Sequence, residues 1–231
     1  MSGKGSGDGA ERPSRERVSI AKTKLLLGEG KDEELFFRAM LKHLGREDVQ
    51  VLSAGGKTGL SAALGVLMSD PKWPDVESLL IVRDADFSDD RSRESAASSA
   101  WKSVTNELRK RGLPVPDNHG QLAGRGEAVA PAALRVGIFI LPDGVSDGML
   151  EDLCLDAVSG DPVKPCLDAY LRCVEEKQGA IVRNLLPKAR AHAFLASRST
   201  PDKRVGEAAQ AGYWPWEAPA FAPLLAFVAG A

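Results

Sequence analysis

Thr23-Lys24-Leu25-Leu26-Leu27-Gly28-Glu29-Gly30 is an apolar run that stops on two glycines flanking an acid. Ser78-Leu79-Leu80-Ile81-Val82 repeats the form and runs into Arg83-Asp84-Ala85-Asp86. Short apolar runs bounded by turn residues or charges are typical of strands covered on both faces, as in parallel sheets. Working outward, the intervening stretches are helical. Residues 31–44 place Leu35, Phe36, Ala39, Met40 and Leu44 at helical spacing. Asp32, Glu33 and Glu34 crowd that first turn, where the helix dipole favours negative charge, and Gly45 ends the segment.

Residues 48–54 read as a second strand, closed by Gly55-Gly56, and Leu60, Ala63, Leu64, Leu67 and Met68 as a second amphipathic helix ending before Pro71. A more polar helix follows at about 92–111, with Trp101, Val104 and Leu108 as its stripe. Residues 113–134 are rich in Pro and Gly and read as irregular; 135–141 is a fourth strand. Beyond Pro142 the pattern is helical, with segments near 149–158, 165–176, 187–197 and 220–228. This alternation predicts an α/β fold: a mostly parallel central sheet flanked by helices, with a largely helical C-terminal extension over 146–231. Whether that extension packs on the sheet or stands apart stays open. Residues 1–17 hold no large apolar side chain beyond Met1 and read as a disordered tail, leaving 18–231 as one expected domain.

Composition removes several classes. Of 231 residues 43% are hydrophobic and 27% charged, an ordinary globular balance. A net charge of −2 gives no overall basic field, so contact with a polyanion needs a local patch or metal ions. Three cysteines, an odd number without a C-x-x-C pair, argue against a disulfide framework and a structural zinc site, and all three read as core residues on helical stripes. The longest apolar run, 221–229, is broken by Pro223 and far short of the roughly 18 residues needed to span a bilayer. A reducing cytoplasm and no membrane association are therefore expected, and the tail lacks the apolar core of a signal peptide.

The acids carry the chemistry. In open α/β sheets the site is built by loops at the carboxyl ends of the strands. Glu29 follows the first strand and Asp84 and Asp86 the third, so they converge if those strands are neighbours. Carboxylates gathered there repel one another unless a cation neutralises them, and an all-oxygen set points to Mg²⁺ or Mn²⁺. In an extended segment Asp84 and Asp86 would face the same side and share a metal. Such an ion would position phosphates for phosphoryl transfer.

Leu27-Gly28-Glu29-Gly30-Lys31-Asp32, a helix, a Gly-rich second turn and hydrophobic-x-Asp84-x-Asp86 together resemble the Toprim domain of topoisomerases, bacterial primases and OLD nucleases. Phe139-Ile140-Leu141-Pro142-Asp143, Gly148-Met149-Leu150-Glu151-Asp152 and the stretch 188–196 resemble small Toprim-like prokaryotic proteins. The resemblance covers most of the chain from Val18 onward and implies a Rossmann-like Toprim fold. It implies that Glu29 is a general acid or base that also contacts metal, and that Asp84 and Asp86 are metal ligands. The topoisomerase pattern is incomplete, because the third aspartate position holds Ser88, with Asp89 and Asp90 beyond it. The two tyrosines, Tyr170 and Tyr213, lie in the helical part, and no zinc-binding or helicase-binding region suggests a primase. An OLD-like nuclease fits best, although the ATPase of those enzymes is not in this sequence.

Glu151 and Asp152 admit two readings: an acidic helix start capped by Ser146 or Asp147, or further metal ligands facing Glu29. Gly55-Gly56-Lys57-Thr58-Gly59 fails as a P-loop because Val51 stands where its first glycine belongs; a tight turn aiming Lys57 at a substrate phosphate remains, with Arg83 as a second phosphate contact. Lys188 shares a helix face with His192; the resemblance makes Lys188 a candidate stabiliser of developing charge. His43 and His119 show no ligand-like partner, and Trp214-Pro215-Trp216 reads either as core or as a stacking platform for bases. Two functions follow. One is a Mg²⁺- or Mn²⁺-dependent nuclease acting on DNA or RNA. The other is a non-catalytic or conditionally active Toprim module that docks on a separate ATPase, for example in antiphage defence.

Overall fold

The computed structural model describes residues 19–88, 93–124 and 130–231. Its strands are β1 (Lys24–Gly28), β2 (Val49–Ser53), β3 (Ser78–Asp84), β4 (Leu122–Gly124) and β5 (Arg135–Leu141). Its helices are α1 (Lys31–His43), α2 (Leu60–Met68), α3 (Ala96–Arg109), α4 (Leu150–Ala157), α5 (Lys164–Gln178), α6 (Leu186–Ala196), α7 (Val205–Gln210) and α8 (Ala222–Ala229). The sheet runs β2-β1-β3-β5-β4, with every pair parallel except the short β4 against β5. This is the expected mixed α/β fold with a mostly parallel sheet between helices.

The central strands β1, β3 and β5 are buried on both sides, which is why their sequences are almost continuously apolar. Leu25, Leu27, Leu79, Ile81, Val136, Ile138 and Ile140 face one way, into a core shared with α2 and α3. Leu26, Leu80, Val82, Phe139 and Leu141 face the other way and meet α1 and the helices from α4 to α8. The helical C-terminal part therefore packs on the sheet. At one point a strand side chain is given up for this: the ring of Phe227 would lie 2.6 Å from a Cβ on Gly137. Burying such a ring contributes roughly 2–3 kcal/mol, more than the β-propensity lost at a glycine.

Several expectations change. The stretch 113–134 contains β4, and α7 lies in sequence that showed no helical stripe. Asp84 is the last residue of β3 and not part of the loop beyond it. Only Cys154 is buried; Cys166 and Cys173 are exposed, because α5 turns just Leu167 and Leu171 fully inward. The proposed tail, the start of the third helix at 92, and Asp89 and Asp90 lie outside the described residues. Among the described residues no helix is long and apolar enough to cross a membrane.

Candidate active site

Strand β1 is flanked by β2 on one side and β3 on the other, so strand order reverses there. Ligand crevices of open α/β sheets form at such switch points, beyond the carboxyl ends of the strands. Leu27 pairs with Ile81, which brings Glu29 level with the end of β3. After Glu29 the chain enters α1 directly, with Gly30 as N-cap. Glu33 closes that turn by accepting the Gly30 N–H at 2.9 Å. A Cβ on Gly28 would stand 3.0 Å from the Glu33 Cβ, so the glycine allows this close approach.

Asp84 is the electrostatic centre. It is 7% exposed, and its Oδ1 accepts the Leu150 N–H at 3.0 Å. Burial, followed by the charges of Glu33, Glu151 and Glu29, pushes its carboxyl well above the ordinary aspartate range. Glu29 is also raised, by burial and then by Asp86 and Glu33, against the opposing pull of Arg83 and Lys57. Among the described residues its Oε2 is buried without a hydrogen-bond partner. The Lys188 ammonium sits 2.8 Å from Glu151 Oε1. Its burial works to lower its pKa, but that hydrogen bond and the charges of Glu151, Asp84 and Glu33 prevail and raise it.

Asp86 reaches the site differently from the expected same-side arrangement. Strand geometry ends at Asp84, and Asp86 adopts a left-handed φ of 64°. Two backbone bonds hold it there: its N–H donates to Gly148 O at 2.8 Å, and Gly148 N–H donates back at 2.7 Å. This conformation costs on the order of 1 kcal/mol even for Asp, which tolerates it better than most residues. The acids thus form two arms. Asp84 stands with Glu33, Glu151 and Lys188, while Asp86 pairs with the Lys57 ammonium at 2.7 Å. Glu29 feels both.

Local bonds explain how the remaining candidates are placed. Gly56 N–H donates to Glu29 O at 2.8 Å, folding the Gly55-Gly56 turn onto Glu29 and delivering Lys57. Arg83 donates to Ser103 Oγ at 3.2 Å and contributes positive charge to Glu29. Asp152 is taken up by structure: it accepts the Met149 N–H at 2.9 Å as the capping-box acid of α4. The N-cap of α4 is Met149, not Ser146 or Asp147. Asp147 instead accepts the Ser88 N–H and hydroxyl at 3.0 and 2.7 Å and the Ala96 N–H at 2.9 Å, tying the loop after β3 to α3.

The fold therefore gathers Glu29, Lys57, Arg83, Asp84, Asp86, Glu151 and Lys188, and adds Glu33. Sequence reasoning explained Glu33 as a dipole-compensating acid; the overlooked signal was its four-residue spacing from Glu29 across a helix start. His192 does not join Lys188 but lines a groove between α5 and α6. His119 is half-buried against Phe139, with ring centroids 4.2 Å apart. Trp214 is core, its Nε1–H donating to Val205 O at 3.0 Å. Among the described residues, no three His, Cys, Asp or Glu side chains stand close enough together to hold a metal as they are placed. Lys57 and Lys188 occupy two of the carboxylates.

The sequence matches the family described as Protein of unknown function (DUF3226) over residues 23–230. No curated protein matches it. Among solved structures, the C-terminal region of the Burkholderia pseudomallei OLD protein is similar at 16% identity and a TM-score of 0.45, covering 91% of this chain and 97% of that one. The C-terminal region of the Xanthomonas campestris pv. campestris OLD protein is similar at 14% identity and a TM-score of 0.39, over 91% and 97% of the two chains. Likenesses of this size carry no weight for function.

Proposed function

The chain belongs to the DUF3226 family, and from that premise we propose that it is a divalent-metal-dependent phosphoryl-transfer enzyme, a Toprim-like nuclease acting on DNA or RNA. The observation that carries the reading is Asp84, a buried carboxylate set against Glu33, Glu151 and Glu29 with one backbone N–H as its hydrogen-bond partner. Left so, the arrangement is destabilising, because buried like charges lose hydration and repel. Strained or mutually repelling groups kept at a switch point favour a functional role.

The donor chemistry suits Mg²⁺ or Mn²⁺, although the carboxylates would have to draw closer together than they now stand. The donors are carboxylate oxygens, and the buried Glu29 Oε2 lacks a partner. Asp84, Glu33 and Glu151 would hold one ion, and Asp86 with Glu29 a second; Asp152 is left to its cap. Bound metal would neutralise phosphoryl oxygens and lower the pKa of water.

The chain's own groups do the rest. Glu29, whose carboxyl is raised by burial and by Asp86 and Glu33, holds a proton more readily than a free glutamate and suits transfer of a proton to or from the reacting oxygen. Lys57 and Arg83 supply positive charge beside Glu29 and would hold a substrate phosphate. Lys188, held by Glu151 and close to Asp84, would stabilise charge developing on the phosphoryl group.

The test is cleavage of supercoiled plasmid and structured RNA with Mn²⁺, Mg²⁺ or EDTA, beside Asp84→Asn and Asp84→Ala/Asp86→Ala. Metal-dependent cleavage lost in both variants supports the reading. A folded chain that cleaves neither substrate, and whose melting temperature ignores divalent ions, overturns it and favours a module that acts on a separate ATPase.

A further inference from the structure

The site just described does not explain an aromatic and basic cleft at the far end of α1. This cleft, of about 540 Å³, is lined by Arg38, Lys42, His43, Gln210 and Trp216 together with small residues, and among the described residues no carboxylate lines it. Trp216 is half-buried: it leans on Phe36 and Phe221 at 5.2 and 5.3 Å, and the His43 ring stacks toward it at 6.0 Å and 28°. Arg38, Lys42 and His43 are exposed. Aromatic surface, guanidinium, ammonium and a carboxamide together suit a ligand with a planar ring and an anionic backbone.

The cleft is joined to the acidic site by one face of α1. Lys31, Arg38 and Lys42 are spaced seven and four apart, so they fall in a row on the solvent side of a 3.6-residue helix. Phe36, Phe37, Met40 and Leu41 take the opposite side into the core. The row rises about 16 Å, at ~1.5 Å per residue. Its start adjoins Gly30 and Glu33 at the acidic site, and its end reaches Trp216. Helix α7 packs alongside, close enough that a Cβ on Gly206 would lie 2.3 Å from Asp32 O. It brings Arg204, whose charge reaches Asp32.

Glu34 interrupts the row, pairing with Lys31 at 3.1 Å and Arg38 at 2.9 Å. These pairs have one exposed partner each and are cheap to rearrange. Arg38 uses Nε and one terminal nitrogen on Glu34, which leaves further donors of its fork for a phosphate. Among the described residues Lys42 makes no ion pair.

We propose that a single-stranded nucleic acid runs along Lys31, Arg38 and Lys42, away from the carboxylate site, and stacks a base on Trp216. The inference rests on the nuclease reading for its polyanionic substrate, and it names the strand form and the path. A duplex does not suit the cleft, since its bases are already stacked on one another. An aromatic platform beside a cationic groove is instead how single strands are held without sequence preference.

The test is fluorescence anisotropy of a labelled single-stranded 12-mer with the full chain in EDTA, so that binding is read without cleavage. Arg38→Glu/Lys42→Glu should weaken binding at least roughly tenfold and flatten the slope of log affinity against log salt by about one to two. Trp216→Leu should also weaken it roughly tenfold, while Trp216→Phe keeps most of the affinity, because stacking and not packing volume is what the strand uses. Melting temperatures accompany each variant, and the exposed charge reversals remain informative if Trp216→Leu fails to fold. If the oligonucleotide binds the charge-reversed chain with unchanged affinity and salt slope while metal-dependent cleavage persists, the path is wrong and the nuclease stands. If binding depends on these residues but nothing is cleaved, the path stands and the nuclease falls.

Discussion

Asp84 Oδ1 accepts the Leu150 N–H at 3.0 Å, so the last residue of β3 is fastened to the first turn of α4. A helix N-terminus carries partial positive charge, which offsets part of what Glu33, Glu151 and Glu29 impose on this carboxylate. The same contact brings Glu151, on the first turn of α4, to the carboxyl end of β3. The hydrogen bond fixes the position of Asp84 and relieves part of the tension that burial and the neighbouring acids create, and both effects can be measured.

Asp84→Asn keeps an oxygen for Leu150 and removes the charge. An acid whose folded pKa lies above its unfolded value stabilises the native chain at low pH. That stability is lost as pH rises from about 4, where a free aspartate ionises, through the raised value. In EDTA, the variant should therefore melt higher than the parent at pH 8, by roughly 2–6 °C for about 1–2 kcal/mol, and the gap should close toward pH 5. Glu29 and Glu33 keep a residual slope of the same sign. His119, lowered by burial, contributes the opposite slope below about pH 6.5, but equally in both chains. Parallel melting curves across this range would mean that Asp84 is not held against its surroundings.

Divalent ions should raise the melting temperature more at pH 8 than at pH 5.5, because protons and metal compete for the same carboxylates. At a metal concentration of 100 times Kd the gain is about 2.7 kcal/mol. Glu33→Gln tests the acid that the sequence disguised. It can still accept the Gly30 N–H through its amide oxygen, and it removes a half-buried charge, so the metal-free chain should melt at or slightly above the parent at pH 8. Its metal-induced rise should shrink by at least half. A full rise would remove Glu33 from the ligand set.

Lys188→Met removes the ammonium from Glu151 while leaving the aliphatic stem. The pair is half-exposed on the lysine side, so stability should fall by no more than about 1 kcal/mol. Cleavage should fall far more, by about 10²–10³ in kcat, if the charge acts on the transition state. A raised KM with unchanged kcat would instead assign Lys188 to binding that does not distinguish ground state from transition state.

What could be read in advance follows from which residues depend on local physics. Leu25 to Leu27 and Leu79 to Val82 are buried on both faces, and that double burial writes an unbroken apolar run into the chain. The glycines and acids that stop those runs therefore showed where Glu29 and Asp84 would stand. Glu33 was hidden because the helix dipole fully accounts for an acid in a first turn; only the crowding of Gly28 and Asp84 around it sets it apart. Strand β4 is three residues long, too short for any period, and exists through pairing with Arg135 to Gly137. Cys166 and Cys173 matched a helical stripe, but α5 buries only a narrow strip, and periodicity does not report how wide the covered face is.

Helix α7 is the sharpest case of an element made by its partner, and two glycines test it. Val205–Gln210 is six residues long, too short to be stable alone, and Gly206 lowers its propensity further. The glycine is what brings it against α1: a Cβ there would lie 2.3 Å from Asp32 O and 2.8 Å from Leu35 Cβ. Backbone cannot yield as a flexible side chain would, so Gly206→Ala should destabilise the chain by about 1–3 kcal/mol. Because Glu33 lies between Asp32 and Leu35 on α1, right at that contact, metal-dependent cleavage should fall as well. Gly65, inside α2, has nothing within 4 Å of an added Cβ. There the ordinary helix preference applies, and Gly65→Ala should stabilise by about 0.5–1 kcal/mol with cleavage unchanged. Equal responses at the two glycines in thermal melts would show that α7 is not held by close approach to α1.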